Sequence, residues 1–410
     1  MKRIAIVGSG IAGLTCAYHL ARQHQVRVFE ANDSIGGHTH TVDVEWQGES
    51  SAIDSGFIVF NDRTYPNFLQ LLRQLQVPYQ PTEMSFSVRN DAIGLEYNGH
   101  NLNSLFAQRK NLFSPRFWKL LRDILRFNRQ VREHDFAANA TIGDYLAAHN
   151  YGTLFQNNYL LPMIAAIWSL GLEDSRSFPL DFFVRFFANH GLLNLQDRPQ
   201  WYSIIGGSRS YLEPLTASFR EQIEPATPVR RLSPRDQGIL LATDRDETRF
   251  DEVILACHAD QALALLDQPT AAEERILGAL PFTDNQVVLH TDTRLLPRER
   301  RAWASWNYYN REQAAGRAGL TYNMNILQQL HKQHTYLVTL NQEIEQDYVL
   351  RRFNYAHPAY TPAGIKAQSD WGEISGHRHI HYCGAYWFNG FHEDGVRSAQ
   401  RVCRSLGVDL

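Results

Sequence analysis

The sequence predicts an α/β protein with a parallel central sheet, in which both chain ends contribute to one ligand site. Three observations carry this prediction. Near the start, the apolar run 4–7 meets a glycine-rich turn and then a helical pattern. A second short run, 26–30, ends in a carboxylate, and near the finish the run 380–385 leads into another helix. Short apolar strands that alternate with helices are typical of doubly wound folds.

The first turn, Gly8-Ser9-Gly10-Ile11-Ala12-Gly13, has the spacing of a dinucleotide-binding loop. Glycine allows the tight turn, the close approach of a diphosphate to the amides and the packing of the helix on the strand. The positive end of that helix then faces the anion. Glu30, seventeen residues after Gly13, stands where an acid accepts hydrogen bonds from the ribose hydroxyls. An ordinary glycine loop would not require this strand, helix and acid in register.

Composition excludes several classes of protein. The net charge of −3 over 410 residues gives no concentrated positive field, so we expect no nucleic-acid partner. Cys16, Cys257, Cys383 and Cys403 lie far apart without a Cys-x-x-Cys spacing, which indicates neither zinc nor a disulfide framework and favours a cytoplasmic location. The best apolar stretch, 160–172, is too short to cross a bilayer.

Changes of pattern along the chain predict two discontinuous domains. We expect a nucleotide-binding domain from residues 1–65, 201–270 and 366–410, and a substrate domain from residues 66–200 and 271–365. Helical periodicity and aromatic residues predict that the first of the two substrate segments is mostly helical.

The predicted nucleotide-binding segments contain further stretches marked by glycine. Gly36-Gly37-His38 and Ser55-Gly56-Phe57 follow the second strand, and Gly384-Ala385 follows the last strand. The block Asn389-Gly390-Phe391-His392-Glu393-Asp394-Gly395-Val396 then opens the final helix. The first turn of that helix would direct unpaired amides at a bound ligand.

With these motifs in place, the chain resembles the flavin-containing amine oxidoreductase superfamily, whose relatives include phytoene desaturases, protoporphyrinogen oxidases and UDP-galactopyranose mutases. The resemblance covers both ends of the chain and the middle segment, 201–270, of the predicted nucleotide-binding domain. It implies FAD as cofactor, held in a Rossmann-type domain that carries an inserted α+β substrate domain. The cofactor-binding residues that it implies are Gly8, Gly10, Ile11, Ala12, Gly13, Glu30, Ala31, Gly36, Gly37, His38, Gly56, Phe57, Val229, Gly384, Ala385, Asp394, Gly395 and Val396.

Some of these implied roles are specific. Val229 matches the strand residue whose backbone meets the adenine, and the segments at 384–385 and 394–396 match those that lie along the isoalloxazine. His38 stands where the family usually has arginine. The block 389–396 also looks like a bacterial subgroup often found beside cyclopropane-fatty-acid-synthase-type enzymes, which implies an acyl chain within a lipid as substrate.

Histidines and aromatic residues offer further candidates. His392 is the predicted catalytic residue, because its ordinary pKa lies near neutrality and it could move a proton beside the flavin; the alternative is that it only hydrogen-bonds the loop. His377, His379 and His381 alternate as on one strand face, yet such neighbours lie roughly 6–7 Å apart, so we predict no metal site. The aromatic segments 306–309 and 386–388 could line a substrate pocket or belong to the core.

The stretch 113–131 is the one visible clue to the physical state of the substrate. Apolar side chains at 113, 117, 120, 121, 124 and 131 share a helical face, opposed by basic side chains at 116, 119, 122, 126 and 129. Such a helix could bind an anionic lipid surface, on the inner face of the membrane for a cytoplasmic protein. The alternative is a domain helix that packs inward and leaves a solvated basic face.

The function predicted from these observations is an FAD-dependent oxidoreductase that takes hydride from a largely apolar substrate, such as a fatty acyl chain or lipid. An amine oxidase and a non-redox isomerase similar to the mutases remain as alternatives. So does a binding protein that has lost the use of flavin, although the intact turn, Glu30 and the terminal helix argue against it.

Overall fold

The computed structural model describes residues 1–133, 140–168, 170–189, 191, 193, 197–310 and 319–408. The strands are β1 Arg3–Val7, β2 Gln25–Phe29, β3 Thr41–Trp46, β4 Glu49–Asp54, β5 Val59–Asn61, β6 Tyr79–Thr82, β7 Phe86–Asn90, β8 Leu95–Asn98, β9 Trp201–Ile204, β10 Ile223–Glu224, β11 Val229–Arg235, β12 Gly238–Thr243, β13 Glu247–Phe250, β14 Glu252–Leu255, β15 Phe282–His290, β16 Trp306–Asn310, β17 Leu320–Asn323, β18 Leu337–Leu340, β19 Val349–Pro358 and β20 Ile380–Tyr382.

The helices are α1 Ile11–Leu20, α2 Pro66–Gln74, α3 Leu102–Leu105, α4 Pro115–Glu133, α5 Ile142–His149, α6 Thr153–Phe155, α7 Leu161–Trp168, α8 Leu180–Asn189, α9 Leu212–Thr216, α10 Ala259–Leu265, α11 Ala271–Gly278, α12 Met324–Leu327, α13 Pro362–Ser369 and α14 His392–Ser405. In the part of the chain described above, no helix is both long and apolar enough to span a membrane.

A five-stranded parallel sheet in the order β10-β2-β1-β14-β20 forms the centre of the nucleotide-binding region. β1 lies in the middle, and Ile4, Ala5 and Ile6 are fully buried. Strands buried on both faces need apolar side chains at consecutive positions, which explains the continuous run in the sequence. Because all five strands are parallel, the turns that follow them meet at one edge, where ligands of such folds bind.

The second large sheet has the order β19-β15-β18-β17-β16-β7-β8 and is antiparallel except for the β16–β7 pair. β7 and β8, together with β6, lie in the stretch that was predicted to be mostly helical, so that prediction was wrong for residues 79–98. β7 pairs with β16, more than 200 residues later. Local periodicity does not report a partner so distant.

The remainder of that stretch is helical and has its own core. α4 to α8 bury mainly aromatic and leucine side chains, among them Phe117, Phe127, Phe155, Phe183 and Trp168. Phe127 of α4 contacts Phe183 of α8, with ring centroids 6.0 Å apart. The aromatic richness of the sequence here therefore builds a hydrophobic core.

The two terminal helices pack directly on each other. A Cβ at Gly395 in α14 would lie 2.6 Å from Cγ2 of Ile11 in α1, so only glycine allows this approach. Behind it, the free thiols of Cys16 and Cys383 lie 3.8 Å apart, and Cys403 points at the carbonyl of Cys16. The cysteines that are far apart in sequence thus fill the contact between the helices as small apolar side chains.

Glu393 ties α14 to α2. Its carboxylate accepts hydrogen bonds from the backbone N–H of Phe68 at 2.9 Å, from the backbone N–H of Asn67 at 3.2 Å, and from the Asn67 side chain. These amides belong to the first turn of α2, which has no side-chain cap of its own. A buried carboxylate at that position satisfies orphan donors and complements the helix dipole.

The three alternating histidines do not share a strand face, so that expectation was wrong. β20 spans only 380–382, and a turn precedes it in which Arg378 and His379 have φ angles of 54° and 65°. His381 is buried beside Glu252, with its Nε2 3.3 Å from the carboxylate, whereas His377 and His379 lie in the turn. The left-handed turn breaks the alternation that the sequence suggests.

We predict that Glu393→Gln lowers the free energy of unfolding of the cofactor-free protein by about 1–3 kcal/mol, because a neutral amide offers one acceptor oxygen where the carboxylate offers two. Urea denaturation followed by circular dichroism measures the change. Glu274→Gln, at an exposed position in the first turn of α11, is the matched control and should stay within about 0.5 kcal/mol of the parent. Equal losses in the two variants would contradict the capping role of Glu393.

Candidate functional site

The glycine-rich turn after β1 has the shape of an anion-binding loop. Gly8 has a φ of 107°, and a Cβ there would lie 2.8 Å from the carbonyl oxygen of Ala256. A Cβ at Gly13 would overlap the carbonyl oxygen of Gly8. Gly10 differs, because its φ is −69° and a Cβ would meet nothing within 4 Å. It precedes α1, whose N-terminus has no side-chain cap, so the first amides of α1 are available to a diphosphate.

Glu30 marks the next position along the same edge. Its carboxylate is buried and accepts hydrogen bonds from the backbone and hydroxyl of Ser9 at 3.0 and 2.6 Å and from the backbone of Asn32 at 2.9 Å. The backbone N–H of Thr227 donates to the Glu30 carbonyl at 2.8 Å, two residues before Val229 at the start of β11. Ala31 is exposed at this rim. The arrangement fits the ribose and adenine of a dinucleotide.

The Gly36-Gly37-His38 loop lies against the first turn. Gly36 and Gly10 form a bridge, and a Cβ at Gly37 would lie 3.1 Å from the Cα of Gly10. The φ angles of 113° and 57° at the two glycines favour residues without a side chain. A Cβ at Gly56 would overlap the carbonyl oxygen of His38, so the 55–57 stretch also packs closely on this loop.

The C-terminal residues of the site come from the turn after β20 and from the start of α14. The backbone N–H of Gly384 donates to the Ser398 hydroxyl at 3.0 Å, which holds the turn on α14 beside Ala385. The carboxylate of Asp394 accepts a hydrogen bond from the N–H of Phe391 at 3.0 Å. Burial, with the neighbouring carboxylate of Glu393, raises the pKa of Asp394 to about 7. Val396 is buried behind it.

His392 joins the two halves of the site. Its Nε2 lies 3.1 Å from both the Thr39 hydroxyl and the Tyr211 hydroxyl, which also hydrogen-bond each other. Its ring stacks on Phe57 with centroids 3.5 Å apart and an interplanar angle of 9°. Burial lowers the pKa of His392 well below its ordinary value, so the ring is neutral at neutral pH. These contacts fix the orientation of the His392 ring. Its part in proton transfer stays a prediction.

A polar cluster that the sequence did not reveal lies next to Gly56. The Nδ1 of His40 lies 2.7 Å from the Ser55 hydroxyl and 2.8 Å from the Tyr355 hydroxyl, and the two hydroxyls are 2.7 Å apart. Tyr355 belongs to β19, 300 residues after Ser55. Neither this cluster nor the Thr39–Tyr211–His392 contact has a local signature, because each depends on strands and turns that meet only in the fold.

Both aromatic segments lie in packed surroundings. Trp306 contacts Tyr322 within the second sheet, with ring centroids 5.1 Å apart. Tyr386 and Trp387 are buried, and Tyr386 meets Phe282 edge to face at 5.6 Å. Whether either segment touches a substrate stays a prediction.

The predicted cofactor residues therefore converge from both ends of the chain on one edge of the parallel sheet. The open position at Gly10, the uncapped start of α1, the buried acid at Glu30 and the N-terminus of α14 suit a long dinucleotide that ends in a ring system. They fit FAD, with its diphosphate at the first turn and its ring towards α14. Fold and site together define a flavin-binding protein of the Rossmann type.

Sequence comparison identifies the family. The sequence profile of the flavin-containing amine oxidoreductases matches residues 11–313, and the chain belongs to that family. The members of this family are flavin-containing oxidoreductases. AofH of Mycobacterium tuberculosis, named as a flavin-containing monoamine oxidase, is 24% identical over 67% of this chain; the match spans 61% of AofH itself. A 1-hydroxycarotenoid 3,4-desaturase of Flavobacterium is 40% identical over 55% of this chain and 43% of its own.

Solved structures share the fold over nearly the whole chain. Cyclohexylamine oxidase from Brevibacterium oxydans superposes with a TM-score of 0.70 over 99% of this chain and 98% of its own, at 15% identity. A fatty acid isomerase from P. acnes that produces CLA gives 0.71 over 99% of both chains, at 14% identity. At such identities the likeness concerns the fold alone.

We predict that Gly10→Ala folds normally but binds FAD at least about tenfold more weakly, because the new methyl group meets no protein atom and occupies the space that the diphosphate needs. Quenching of FAD fluorescence on titration measures the dissociation constant. Gly278→Ala is a matched control, since a Cβ there also meets nothing within 4 Å and its φ is not positive. Unchanged FAD affinity in Gly10→Ala would place the diphosphate elsewhere.

Proposed function

We propose that the protein takes hydride from the acyl chain of a lipid and introduces or rearranges unsaturation in it. When bound, FAD supplies a two-electron acceptor beside the substrate. A substrate that loses a hydride and a proton gains one carbon–carbon double bond, and oxygen or another acceptor must take the electrons afterwards. The observation that carries the proposal is an aromatic wall, a set of mostly buried, stacked rings that packs against the start of α14.

That wall consists of stacked rings from three separate segments of the chain. Phe391, directly before α14, stacks on Phe186 of α8 with centroids 5.1 Å apart. Phe182, one helical turn earlier, stacks on Tyr360 at 5.0 Å. A Cβ at Gly390 would lie 2.5 Å from the Tyr360 hydroxyl, so the chain passes close to this wall as it enters α14. Phenylalanine rings favour an apolar substrate through buried area.

The N-terminus of α14 supplies the electrostatic part of the mechanism. Its helix dipole and first-turn amides favour negative charge at their end. Fixed there by the α1 contact and the Glu393 cap, they need no reorganisation when charge develops on a bound ring. Phe57 and the buried ring of His392 stack on each other at this end. The chain thus orients the cofactor and stabilises its charge, while the aromatic wall positions the acyl chain.

An exposed patch on the helical region supports a lipid substrate. Five large apolar side chains in α3, in α4 and in the segment that joins them face solvent; these are Leu102 at 74% exposure, Leu112 at 42%, Phe113 at 86%, Trp118 at 50% and Leu125 at 50%. Basic side chains are interspersed with them along the chain; Arg109, Lys110, Arg116, Lys119, Arg122 and Arg129 are exposed. Exposed apolar side chains mixed with cations match an anionic membrane surface.

This patch differs from the face suggested by the sequence. Phe117, Leu120 and Val131 of that face are buried in the helical core, as the inward-packing alternative requires. Only Phe113 of the suggested face is fully exposed, and Trp118 and Leu125, which are not part of that face, are each 50% exposed. One set of apolar side chains therefore packs inward, and a second set is available to lipid.

The helical region lies between the patch and the site. Phe127 on the inner side of α4 contacts Phe183 of α8, and Phe186 of the same helix contacts Phe391. A continuous series of ring contacts thus connects α4, which carries part of the patch, with the start of α14. The names of two similar proteins, a carotenoid desaturase and a fatty acid isomerase, also describe chemistry on long hydrocarbon chains.

We predict that phospholipid vesicles bleach the bound flavin of the purified holoprotein without oxygen, whereas simple alkylamines do not. Loss of the visible flavin absorbance measures hydride transfer, and mass spectrometry of the extracted lipid should show a loss of two hydrogens. Rapid bleaching by amines alone would overturn the lipid proposal in favour of an amine oxidase. Conversion of the lipid without net hydrogen loss, and only after prior reduction of the flavin, would favour an isomerase.

We predict that the double variant Phe113→Ser/Trp118→Ser binds vesicles containing phosphatidylglycerol at least about tenfold more weakly, because about 1.5–3 kcal/mol of apolar burial is lost with each large side chain. Co-sedimentation measures the binding. Ile205→Ser removes an exposed apolar side chain, at 46%, from the turn after β9, outside the patch, and should bind as the parent does. Vesicle binding that survives the double variant would show that this patch is not the docking surface.

A further inference from the structure

Three histidines from separate segments meet at the carboxyl edge of the parallel sheet. His38 follows the Gly36-Gly37 turn, His258 comes two residues after Ala256 at the end of β14, and His357 lies on β19. The rings of His38 and His357 have centroids 5.3 Å apart. His258 stacks on Phe282, with centroids 4.1 Å apart, and is close enough to affect the charge of both other rings.

The segments that carry these rings flank the glycine-rich turn. A Cβ at Gly37 would lie 3.1 Å from Gly10, next to His38. On the other side, a Cβ at Gly8 would lie 2.8 Å from the carbonyl oxygen of Ala256, two residues before His258. Imidazole groups thus stand on both sides of the loop whose amides suit a diphosphate. The Nε2 of His38 is buried and has no hydrogen-bond partner among the described residues.

The charges around the cluster leave its rings neutral while no anion is present. Burial and the mutual repulsion of the rings lower the pKa of His38 to about 3, and burial lowers that of His357 to about 4. Asp260 and Asp284 face His258 and partly oppose the lowering of its pKa. His40, His258 and His357 all face His38. The ring of Tyr355 also lies near it, with centroids 5.1 Å apart. Asn285 Nδ2 lies 3.3 Å from His357 Nδ1.

We propose that His38, His258 and His357 form a cradle for the diphosphate of FAD and take up a proton when the cofactor binds. A neutral imidazole can donate one hydrogen bond to a phosphate oxygen, and an imidazolium adds a charge beside the anion. The inference rests on FAD binding and is independent of the lipid substrate.

The sign of the pH dependence follows from linkage. An anion beside the rings favours their protonated form and raises their pKa in the complex above that in the free protein. FAD affinity therefore rises as the pH falls, by up to about tenfold per pH unit for each proton taken up. Riboflavin carries the same ring system but no diphosphate, so its affinity should not depend on pH in this way.

Calorimetric titration of the cofactor-free protein tests the proposal. Between about pH 6 and about pH 8 we expect FAD affinity to fall at least about threefold, with proton uptake revealed by buffers of different ionisation enthalpy. We expect riboflavin to show neither effect. FAD binding without proton uptake, or equal proton uptake with riboflavin, would contradict the proposed role of the three histidines. Failure to bind either compound would instead contradict the assignment of FAD as the cofactor.

Substitutions of single histidines test which of them takes up the proton. His258→Gln and His357→Gln should each weaken FAD binding at about pH 6 by at least about fivefold and reduce proton uptake, while riboflavin binding stays unchanged. His258→Arg supplies a permanent charge and should restore affinity without pH dependence. His331→Gln, at an exposed position, is the control and should behave as the parent. Undiminished uptake in both glutamine variants would contradict the proposal, and the result with the parent protein stands even if a variant does not fold.

Discussion

The contact between Gly395 and Ile11 is the constraint on which the site depends. It brings the first helix and the last helix side by side, and with them two motifs that lie at opposite ends of the chain. A residue with a side chain at Gly395 would separate α14 from α1 and move the amides at its N-terminus away from the glycine-rich turn. The thiols of Cys16, Cys383 and Cys403 fill the same contact because small polarizable groups pack where larger ones would not fit.

Much of this arrangement could be predicted from the sequence, because its signals are local. A buried parallel strand needs an apolar run, and the turn at Gly8 to Gly13 follows from close contacts at Gly8 and Gly13 that only glycine permits. Glu30 is recognisable by its position at the end of the second strand. The backbone conformation at these positions is set by the local sequence, and the diphosphate-binding half of a Rossmann-type site can be predicted from it.

What the sequence could not reveal depends on distant partners. Thr39 and Tyr211 contact His392 across 353 and 181 residues, and no periodicity records such a meeting. The histidine cluster likewise needs β19 to lie against the turn after Gly37. The helix α4 shows a third kind of limit: amphipathicity predicted an apolar face, of which Phe117, Leu120 and Val131 are buried, but it did not reveal that Trp118 and Leu125, outside that face, are half exposed.

The electrostatics of the site follow from burial. His38, His357 and His392 are held neutral, while Asp394 is more easily protonated than a solvated carboxylate, so these four groups add little fixed charge to the site. Backbone amides and helix ends, which cannot be neutralised, then provide the permanent field. A site of this kind suits a cofactor that brings its own negative charge.

A crystal structure of the protein with FAD tests the central claim most directly. The account predicts the diphosphate within hydrogen-bond distance of the amides that follow Gly10 and the isoalloxazine at the first turn of α14. A flavin whose ring lies away from Asp394 and Gly395, or whose phosphates lie outside the Gly8–Gly13 turn, would contradict it.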